Sequence, residues 1–209
     1  MNRVAIGRKF ARVTTNAVVA RPRLWRFFRR FMRRQFDTLA PHWDEIRSPG
    51  HLAAYQRALA ALPMPPARAL DLGTGTGDGA LAIAAMFPDA RVVGADLAEG
   101  MLAQAREKLS TETADRIRFE RADAAQLPYA DESFDLVAHA NMIPFFDEVS
   151  RVLAPGGHVL FAFSVGPETP IYVPFERLRA ELARRGFADF AEFEEGAATA
   201  LLARKRPSP

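Results

Sequence analysis

Residues 70–79 read Leu-Asp-Leu-Gly-Thr-Gly-Thr-Gly-Asp-Gly, and this stretch decides the fold. An apolar run closes on Asp71, four alternating glycines follow, and an Ala/Leu/Ile-rich pattern with helical spacing begins immediately afterwards. Glycine tolerates positive φ and lets a ligand lie against the main chain, and the free N–H groups at a helix start point towards such a ligand. The stretch therefore predicts a strand, a tight turn and a helix N-terminus that together hold a nucleotide-like ligand.

Two kinds of ligand fit this turn, a dinucleotide and S-adenosylmethionine. The dinucleotide fingerprint G-x-G-x-x-G/A can be threaded through Gly75, Gly77 and Ala80, with Asp96 about 20 residues further on for a ribose hydroxyl. Asp71 argues against it, because a carboxylate before the first glycine repels a pyrophosphate and attracts an ammonium or sulfonium group. The residues favour S-adenosylmethionine and leave an NAD-dependent oxidoreductase as the weaker alternative.

Four further motifs follow the turn in order along the chain. They are Val92-Val-Gly-Ala-Asp96-Leu with Met101-Leu102, Arg121-Ala-Asp123-Ala, Ser133-Phe-Asp-Leu-Val137 and Arg151-Val-Leu-Ala-Pro-Gly-Gly157. With the glycine turn, this set resembles the class I S-adenosylmethionine-dependent methyltransferases, and within them the ubiquinone/menaquinone-biosynthesis-type branch that acts on small molecules. The resemblance covers about residues 67–206. It implies methyl transfer, with S-adenosylmethionine as the cofactor.

Alternating strand and helix patterns predict an α/β fold. We expect a doubly wound, Rossmann-like, seven-stranded, mostly parallel sheet with one antiparallel strand, helices on both faces and an N-terminal helical extension. Strands are expected at 68–72, 91–95, 116–121, 134–138, 158–163, 187–194 and 197–204, and helices at 78–87, 98–109, 145–153 and 174–185. The chain divides into a basic amphipathic arm (1–36), a helical lid and linker (37–66) and the cofactor-binding domain (67–206).

Composition excludes several classes of site. The 209 residues contain no cysteine, which rules out disulfides and thiolate metal sites. The four histidines show no ligand spacing, so no metal is expected. No stretch approaches the roughly 18 apolar residues of a membrane-spanning helix. We therefore expect a cytoplasmic protein, with peripheral contact at the inner face of the membrane as an added option.

Charge is divided unevenly along the chain. Residues 1–36 carry eleven Arg/Lys and no Asp or Glu, whereas residues 37–209 carry seventeen against twenty-five acidic residues. Between Pro22 and Phe36 one half of a helical wheel is apolar and the other half is arginine. The apolar half comprises Leu24, Trp25, Phe27, Phe28, Phe31, Met32 and Phe36. Residues 21–36 could contact an anionic membrane surface or pack on the domain; nucleic acid and a targeting segment are less favoured.

The resemblance implies a role for each motif residue. The expected cofactor contacts are Asp71, Gly73, Thr74, Gly75, Gly77, Asp96, Leu97, Asp123, Ala124 and Asn141. Asp71 and the glycine loop would contact the methionine portion, Asp96 the ribose hydroxyls, Leu97 the adenine face, and Asp123 with Ala124 the adenine amino group. The alternatives are a purely structural Asp71 that accepts turn N–H bonds, an Asp96 that caps the next helix, and a Leu97 that is only core.

The acceptor side is less defined by sequence. His139 follows the predicted fourth strand and could act as a general base for an acceptor hydroxyl, or be a buried structural histidine. His42 and Trp43 could line the cleft as part of the lid, although packing in the core is favoured for Trp43. The sequence predicts methyl transfer to a small, lipophilic acceptor such as an isoprenoid quinone precursor; a cofactor-binding module without turnover is the alternative from another class.

Overall fold

The computed structural model describes residues 3–47 and 49–207, with side chains described from residue 7 onward except at residue 48. Seven strands form one sheet in the order β3-β2-β1-β4-β5-β7-β6. They are β1 (Arg68–Leu72), β2 (Arg91–Asp96), β3 (Ile117–Arg121), β4 (Phe134–Ala140), β5 (Leu153–Phe163), β6 (Phe187–Glu195) and β7 (Ala198–Lys205). The predicted seven-stranded architecture is confirmed.

Nine α-helices surround this sheet within the described residues. They are α1 (Arg3–Ala20), α2 (Trp25–Leu39), α3 (Trp43–Ile46), α4 (Ala53–Ala60), α5 (Asp78–Met86), α6 (Glu99–Glu107), α7 (Thr111–Ala114), α8 (Phe146–Val152) and α9 (Phe175–Ala183). The four predicted domain helices are present. Helices α1 and α7 were not predicted, and β5 begins at Leu153, five residues before its expected start.

The register of the sheet places the functional motifs at one edge. Strands β1, β2, β3, β4 and β5 run parallel, with Leu70 opposite Val93 on one side and opposite Val137 on the other. Strand β7 runs antiparallel to both β5 and β6, and is therefore the one antiparallel strand expected in the sheet. All five parallel strands therefore end at the same edge, where ligands bind in sheets of this kind.

Two apolar layers cover the two faces of the sheet. Leu70, Val137 and Phe161 face α1, α8 and α9, and Leu136, Ala138 and Leu160 face α4, α5 and α6. Side chains alternate between the faces because successive strand residues point in opposite directions. The expected placement of helices on both faces is therefore confirmed.

The N-terminal helices lie across the carboxyl edge of the sheet. Helix α2 continues past the predicted end of the arm at residue 36 and reaches Leu39. Its Asp37 accepts a hydrogen bond from the Gly100 backbone N–H at 3.0 Å, which joins the end of α2 to the first turn of α6. The division into arm, lid and domain stays a prediction, and α2 crosses its first boundary.

Candidate cofactor and acceptor site

The predicted site residues meet at the carboxyl edge of the parallel strands. The loop after β1 supplies the glycine turn, the loop after β2 supplies Leu97, and the loop after β3 supplies Asp123. His139 is the second-to-last residue of strand β4, and Asn141 follows that strand directly. Four segments that are far apart in sequence are thereby brought to the carboxyl edge of the sheet, whereas the motifs at Ser133–Val137 and Arg151–Gly157 lie at the starts of β4 and β5.

The turn itself has the backbone that its glycines predict. Gly73, Gly75 and Gly77 take φ values of 70°, 55° and 88°, in the left-handed region that favours glycine. At Gly77 a Cβ would also lie 2.8 Å from the Phe119 ring and 3.0 Å from the Ala105 Cβ. The turn therefore needs glycine at this position both for its conformation and for its packing.

Asp71 lies beneath the turn and holds it to two helices. Its carboxylate accepts hydrogen bonds from the Thr74 hydroxyl at 2.6 Å, from the Tyr55 hydroxyl at 3.2 Å and from the Ala80 backbone N–H. The side chain is only 2% exposed, and burial raises the pKa of Asp71 to about 6 despite these donors. Gly79 passes so close that a Cβ there would lie 2.6 Å from both carboxylate oxygens.

These contacts bear on the expected role of Asp71 and Thr74. Both side chains are engaged with each other and with the protein, which matches the structural alternative for Asp71. Their contact with the methionine portion of a cofactor stays a prediction. Tyr55, on α4, was not singled out from the sequence, because nothing in the pattern around it shows that its hydroxyl meets the glycine turn 16 residues later.

Asp96 bridges the glycine turn and the start of α6. One carboxylate oxygen accepts the Gly75 N–H at 2.9 Å, and the other accepts the Ala98 N–H at 2.9 Å. Burial raises the pKa of Asp96, and the hydrogen bonds from these backbone groups oppose that rise. The carboxylate therefore caps the local backbone at the very position where a ribose is expected, and both of its proposed roles use the same two oxygens.

The expected adenine end opens into a cavity of about 550 Å³ lined in part by Leu97, Ala122 and Asp123. Asp123 accepts a hydrogen bond from the Trp25 indole N–H at 2.7 Å, and its other oxygen lies 3.5 Å from the Arg29 guanidinium. Ala124 packs against the neighbouring apolar layer. Helix α2 therefore reaches the adenine position, a contact that no local sequence pattern could have shown.

A short segment covers the opposite, glycine-rich end. A Cβ built on Gly75 would lie 3.6 Å from the Trp43 indole nitrogen and 3.7 Å from the Arg47 guanidinium. At Gly73 the Met142 sulfur would lie 2.5 Å from a Cβ. Trp43 therefore lies over the turn as the predicted lid would. His42 is exposed and pairs with Glu45 at 3.4 Å, so it does not line the cleft.

An ion cluster fastens this cover segment to the turn. Arg47 donates to Asp78 at 2.6 Å and also contacts Thr76, while Lys108 lies 2.7 Å from Asp78 and 2.6 Å from Asp44. Burial would raise the pKa of Asp78, but hydrogen bonds from His51 and Lys108 and the charge of Arg47 outweigh it and hold the pKa well below its usual range. The Asp78 carboxylate therefore stays ionised at neutral pH.

His139 is enclosed on the sheet. It is 1% exposed, its ring meets the edge of Phe161 at 4.2 Å between centroids, and neither ring nitrogen has a hydrogen-bond partner among the described residues. Burial lowers its pKa to about 3, so the imidazole is neutral at physiological pH. The general-base role stays a prediction.

Asn141 has φ of 53° and accepts the Ser164 N–H at 2.9 Å, which ties β4 to the end of β5.

The arrangement fits S-adenosylmethionine in three respects. The glycine turn leaves its backbone uncovered by Cβ atoms, Asp96 offers two carboxylate oxygens, and the cavity at Leu97 and Asp123 has room for an aromatic base. Among the described residues, no group of three or more histidine or carboxylate side chains is placed to hold a metal ion.

Comparisons with known proteins agree with this geometry. Residues 69–157 match the family model described as a methyltransferase domain. The chain is 36% identical to a demethylmenaquinone methyltransferase from Deinococcus radiodurans over 155 residues, covering 68% of this chain and 64% of that protein. It is 32% identical to one from Roseiflexus castenholzii over 176 residues, covering 76% of this chain and 73% of that protein. It therefore spans a little under two thirds of the Deinococcus relative.

Solved structures share the fold at lower identity. An S-adenosylmethionine-dependent methyltransferase from Aquifex aeolicus superposes with a TM-score of 0.65 at 18% identity, covering 78% of this chain and 96% of that one. At this level of identity the likeness concerns the fold alone.

Proposed function

We propose that this chain, which belongs to the class I S-adenosylmethionine-dependent methyltransferases of the ubiquinone/menaquinone-biosynthesis type, transfers a methyl group to a small, lipophilic acceptor. The family predicted from the five motifs is confirmed, and S-adenosylmethionine is its cofactor. The oxidoreductase alternative is not supported. The observation that carries the proposal is the convergence of the glycine turn, Asp96, Leu97 and Asp123 on one cleft at the carboxyl edge of the sheet.

The proposed division of labour follows from the positions of these residues. The glycine turn would receive the methionine portion, Asp96 the ribose, and Leu97 with Asp123 the adenine. When bound, the sulfonium supplies an already activated methyl group, so the acceptor can attack it in line. The protein then has to align two reactants and exclude water, and alignment alone can be worth up to ~7–11 kcal/mol.

His139 would contribute as a base only where the acceptor arrives protonated. Its neutral imidazole can accept a proton, but burial lowers its pKa to about 3 and makes it a weak base. An acceptor of low pKa would place little demand on it. The two ring nitrogens, which have no hydrogen-bond partner in the part of the chain that the structure describes, also suit a residue that orients an acceptor oxygen by hydrogen bonding.

A quinone-type acceptor is supported by the names of the relatives and by the N-terminal helices. Demethylmenaquinone is a lipid-soluble quinone, and two of the relatives are named for acting on it. Helix α2 buries Met32 and packs Trp25 and Phe28 on the domain, but leaves Phe27 and Phe31 65% and 53% exposed. The apolar half of the predicted helix is therefore divided between the domain and the solvent.

The exposed half of α2 has the composition of a membrane-surface helix. Phe10 of α1 lies 5.2 Å from Phe31 between ring centroids and, with Val13, extends the aromatic patch. Arg26, Arg30 and Arg34 are exposed on the same helix as Phe27 and Phe31, and Arg23 is exposed in the turn that precedes it. Aromatic side chains at the acyl boundary with arginines at the headgroups describe an interfacial helix. No helix among the described residues has the length and apolar character to cross a bilayer.

We propose that the protein works in the cytoplasm, in peripheral contact with an anionic inner membrane surface through residues 21–36. The function is tested by supplying labelled S-adenosylmethionine to the full-length chain with a cell lipid extract. Label in a lipid-soluble product supports methyl transfer to a lipophilic acceptor. Tight binding of S-adenosylhomocysteine with no labelled product from any extract fraction would instead support the module without turnover.

A further inference from the structure

A basic cavity lies between α2 and the carboxyl ends of β2 and β3. It encloses about 550 Å³, within the range of small-molecule sites. One wall is the arginine face of α2, and the other is the loop region that includes the expected adenine contacts. Its lining residues are Arg29, Arg30, Arg33, Leu97, Arg121, Ala122 and Asp123.

Positive charge in this cavity is not balanced by the protein. The lining has four arginines and one carboxylate, and that carboxylate, on Asp123, lies 3.5 Å from Arg29. For Arg30, Arg33 and Arg121 no ion pair is formed within residues 7–47 and 49–207. Like charges held close together repel one another, most strongly where the surroundings are partly desolvated. The cavity therefore carries a surplus of positive charge that favours an anion beside the arginines.

The cofactor does not supply that anion. In the proposed orientation its adenine and ribose lie at this end, and neither carries a negative charge. Its one carboxylate belongs to the methionine portion, near the glycine turn, and its sulfonium is positive. This exclusion rests on the proposed function, whereas anion binding by the cavity does not depend on it.

We propose that Arg29, Arg30, Arg33 and Arg121 bind a phosphate group, carried by a soluble phosphate ester or by a lipid headgroup. Arg29 and Arg33 are four positions apart on α2 and Arg30 and Arg33 three apart, so they are neighbours on the helix surface. Arg121 lies at the end of β3, on the opposite wall. Planar guanidinium groups pair with phosphate oxygens two at a time, and a phosphate dianion matches the surplus of charge.

The test compares two pairs of arginines in the full-length protein. Arg33→Gln/Arg121→Gln removes two cavity arginines, and Arg23→Gln/Arg34→Gln removes two exposed arginines of the arm that do not line the cavity. Both double variants lose the same charge. Arg33→Lys/Arg121→Lys keeps the charge but loses the planar fork. Circular dichroism and thermal unfolding establish that each variant is folded.

Two kinds of probe distinguish the sources of phosphate. Inorganic phosphate and glycerol 3-phosphate are titrated calorimetrically in chloride buffer. Separately, phosphatidylcholine vesicles containing either phosphatidic acid or an equal charge of oleate are tested by flotation. S-adenosylhomocysteine binding is measured on every variant, so that a failure of the proposed function is seen independently of a failure of the phosphate site.

We expect the cavity pair to lower phosphate affinity about tenfold or more relative to the control pair, with the lysine variant in between. Binding of the soluble esters identifies a soluble ligand, and a preference for phosphatidic acid over oleate that only the cavity pair abolishes identifies a headgroup. Equal losses of phosphate affinity in the two glutamine pairs would mean that the overall positive charge of the arm, and not the cavity, attracts phosphate. That result would overturn the proposal. So would wild-type protein that binds neither soluble phosphate nor phosphatidic acid in preference to oleate.

Discussion

The glycine turn and the N-terminal helix α2 lie at opposite ends of one cleft, and they depend on sequence in different ways. In the turn, the backbone conformation is set by residues within a few positions, as the left-handed φ of Gly77 and the hydrogen bond from Thr74 to Asp71 show. In α2, the role of a residue depends on contacts with residues far along the chain, as the hydrogen bond from Trp25 to Asp123 shows. The first region can be interpreted from a motif, whereas the second needs a structure.

The largest effect should come from adding one methyl group beneath the turn. In Gly79→Ala the new Cβ would lie 2.6 Å from both oxygens of Asp71, and the buried carboxylate cannot move without losing its donors. We expect a loss of about 3 kcal/mol in the free energy of unfolding, measured by urea titration. Gly7→Ala on α1, where no atom lies within 4 Å of the added carbon, is the control and should not destabilise. Equal effects at the two glycines would contradict the packing argument.

Asp71 and His139 should give opposite pH dependences. The pKa of Asp71 is raised from 3.8 to about 6, so the folded state binds more protons between these values and stability rises as pH falls from 6 to 4. The pKa of His139 is lowered from 6.5 to about 3, so the unfolded state binds more protons and stability falls as pH falls through the same window. Between pH 6 and pH 4, each group changes the free energy of unfolding by about 2–3 kcal/mol, in opposite directions.

Single variants separate the two contributions. Relative to wild type, Asp71→Asn should lose stability more steeply between pH 6 and pH 4, because the stabilising protonation is gone. His139→Gln should lose it less steeply. The measurement is the free energy of unfolding in urea at several pH values. Parallel curves for both variants and the wild type would show that neither side chain titrates as a buried group.

Substitution of Asp96 should weaken cofactor binding more than it lowers the stability of the fold. Asp96→Ala removes the carboxylate that meets Gly75 and Ala98 and that is proposed to bind the ribose. We expect roughly a 10- to 100-fold weaker affinity for S-adenosylhomocysteine by calorimetry, the value of one or two hydrogen bonds to a charged group. Asp135→Ala, a carboxylate that lies at the opposite end of its strand and pairs with Arg68, is the comparison. An unchanged affinity in Asp96→Ala would limit that residue to capping.

The smallest effect on stability should come from the exposed face of α2. Phe27→Ser/Phe31→Ser should change the free energy of unfolding by less than about 1 kcal/mol, since both rings are largely exposed. The same variant should weaken flotation with anionic vesicles roughly tenfold. Phe28→Ser, on the buried side of the same helix, should lower the free energy of unfolding by more than the double variant does and leave flotation unchanged. Unchanged flotation in the double variant would remove the membrane surface from the account.

The contrast between the two regions also explains what the sequence could predict. The succession of strands and helices, the glycine turn and the positions of its ligand-binding motifs follow from periodicity and from short motifs, whereas the order of the strands in the sheet comes from the structure. Helix α1 lay within the basic arm and was not predicted, because its Arg-rich, mixed pattern has no clear apolar stripe until Val18 and Val19 meet the domain. The partners of Asp71 and Asp123, Tyr55 and Trp25, were not predicted either, since each depends on how whole helices pack.

The ion cluster shows the same limit. Asp78 lies in the first turn of α5. Its partners Arg47 and Lys108 lie about 30 residues away on either side, and only the folded chain brings them together. Local sequence therefore determines the position of a charged residue in its element, whereas tertiary packing determines its ion-pair partner.

The central claim is that the glycine turn holds the methyl donor while α2 gives access to a lipophilic acceptor. The most direct measurement is transfer of a labelled methyl group from S-adenosylmethionine to a demethylated isoprenoid naphthoquinol in anionic vesicles, with wild type and Phe27→Ser/Phe31→Ser compared. The account predicts a labelled quinol with wild type, a slower rate with the variant in vesicles, and equal rates on a water-soluble quinol. Wild type that binds S-adenosylhomocysteine yet labels neither quinol would contradict it.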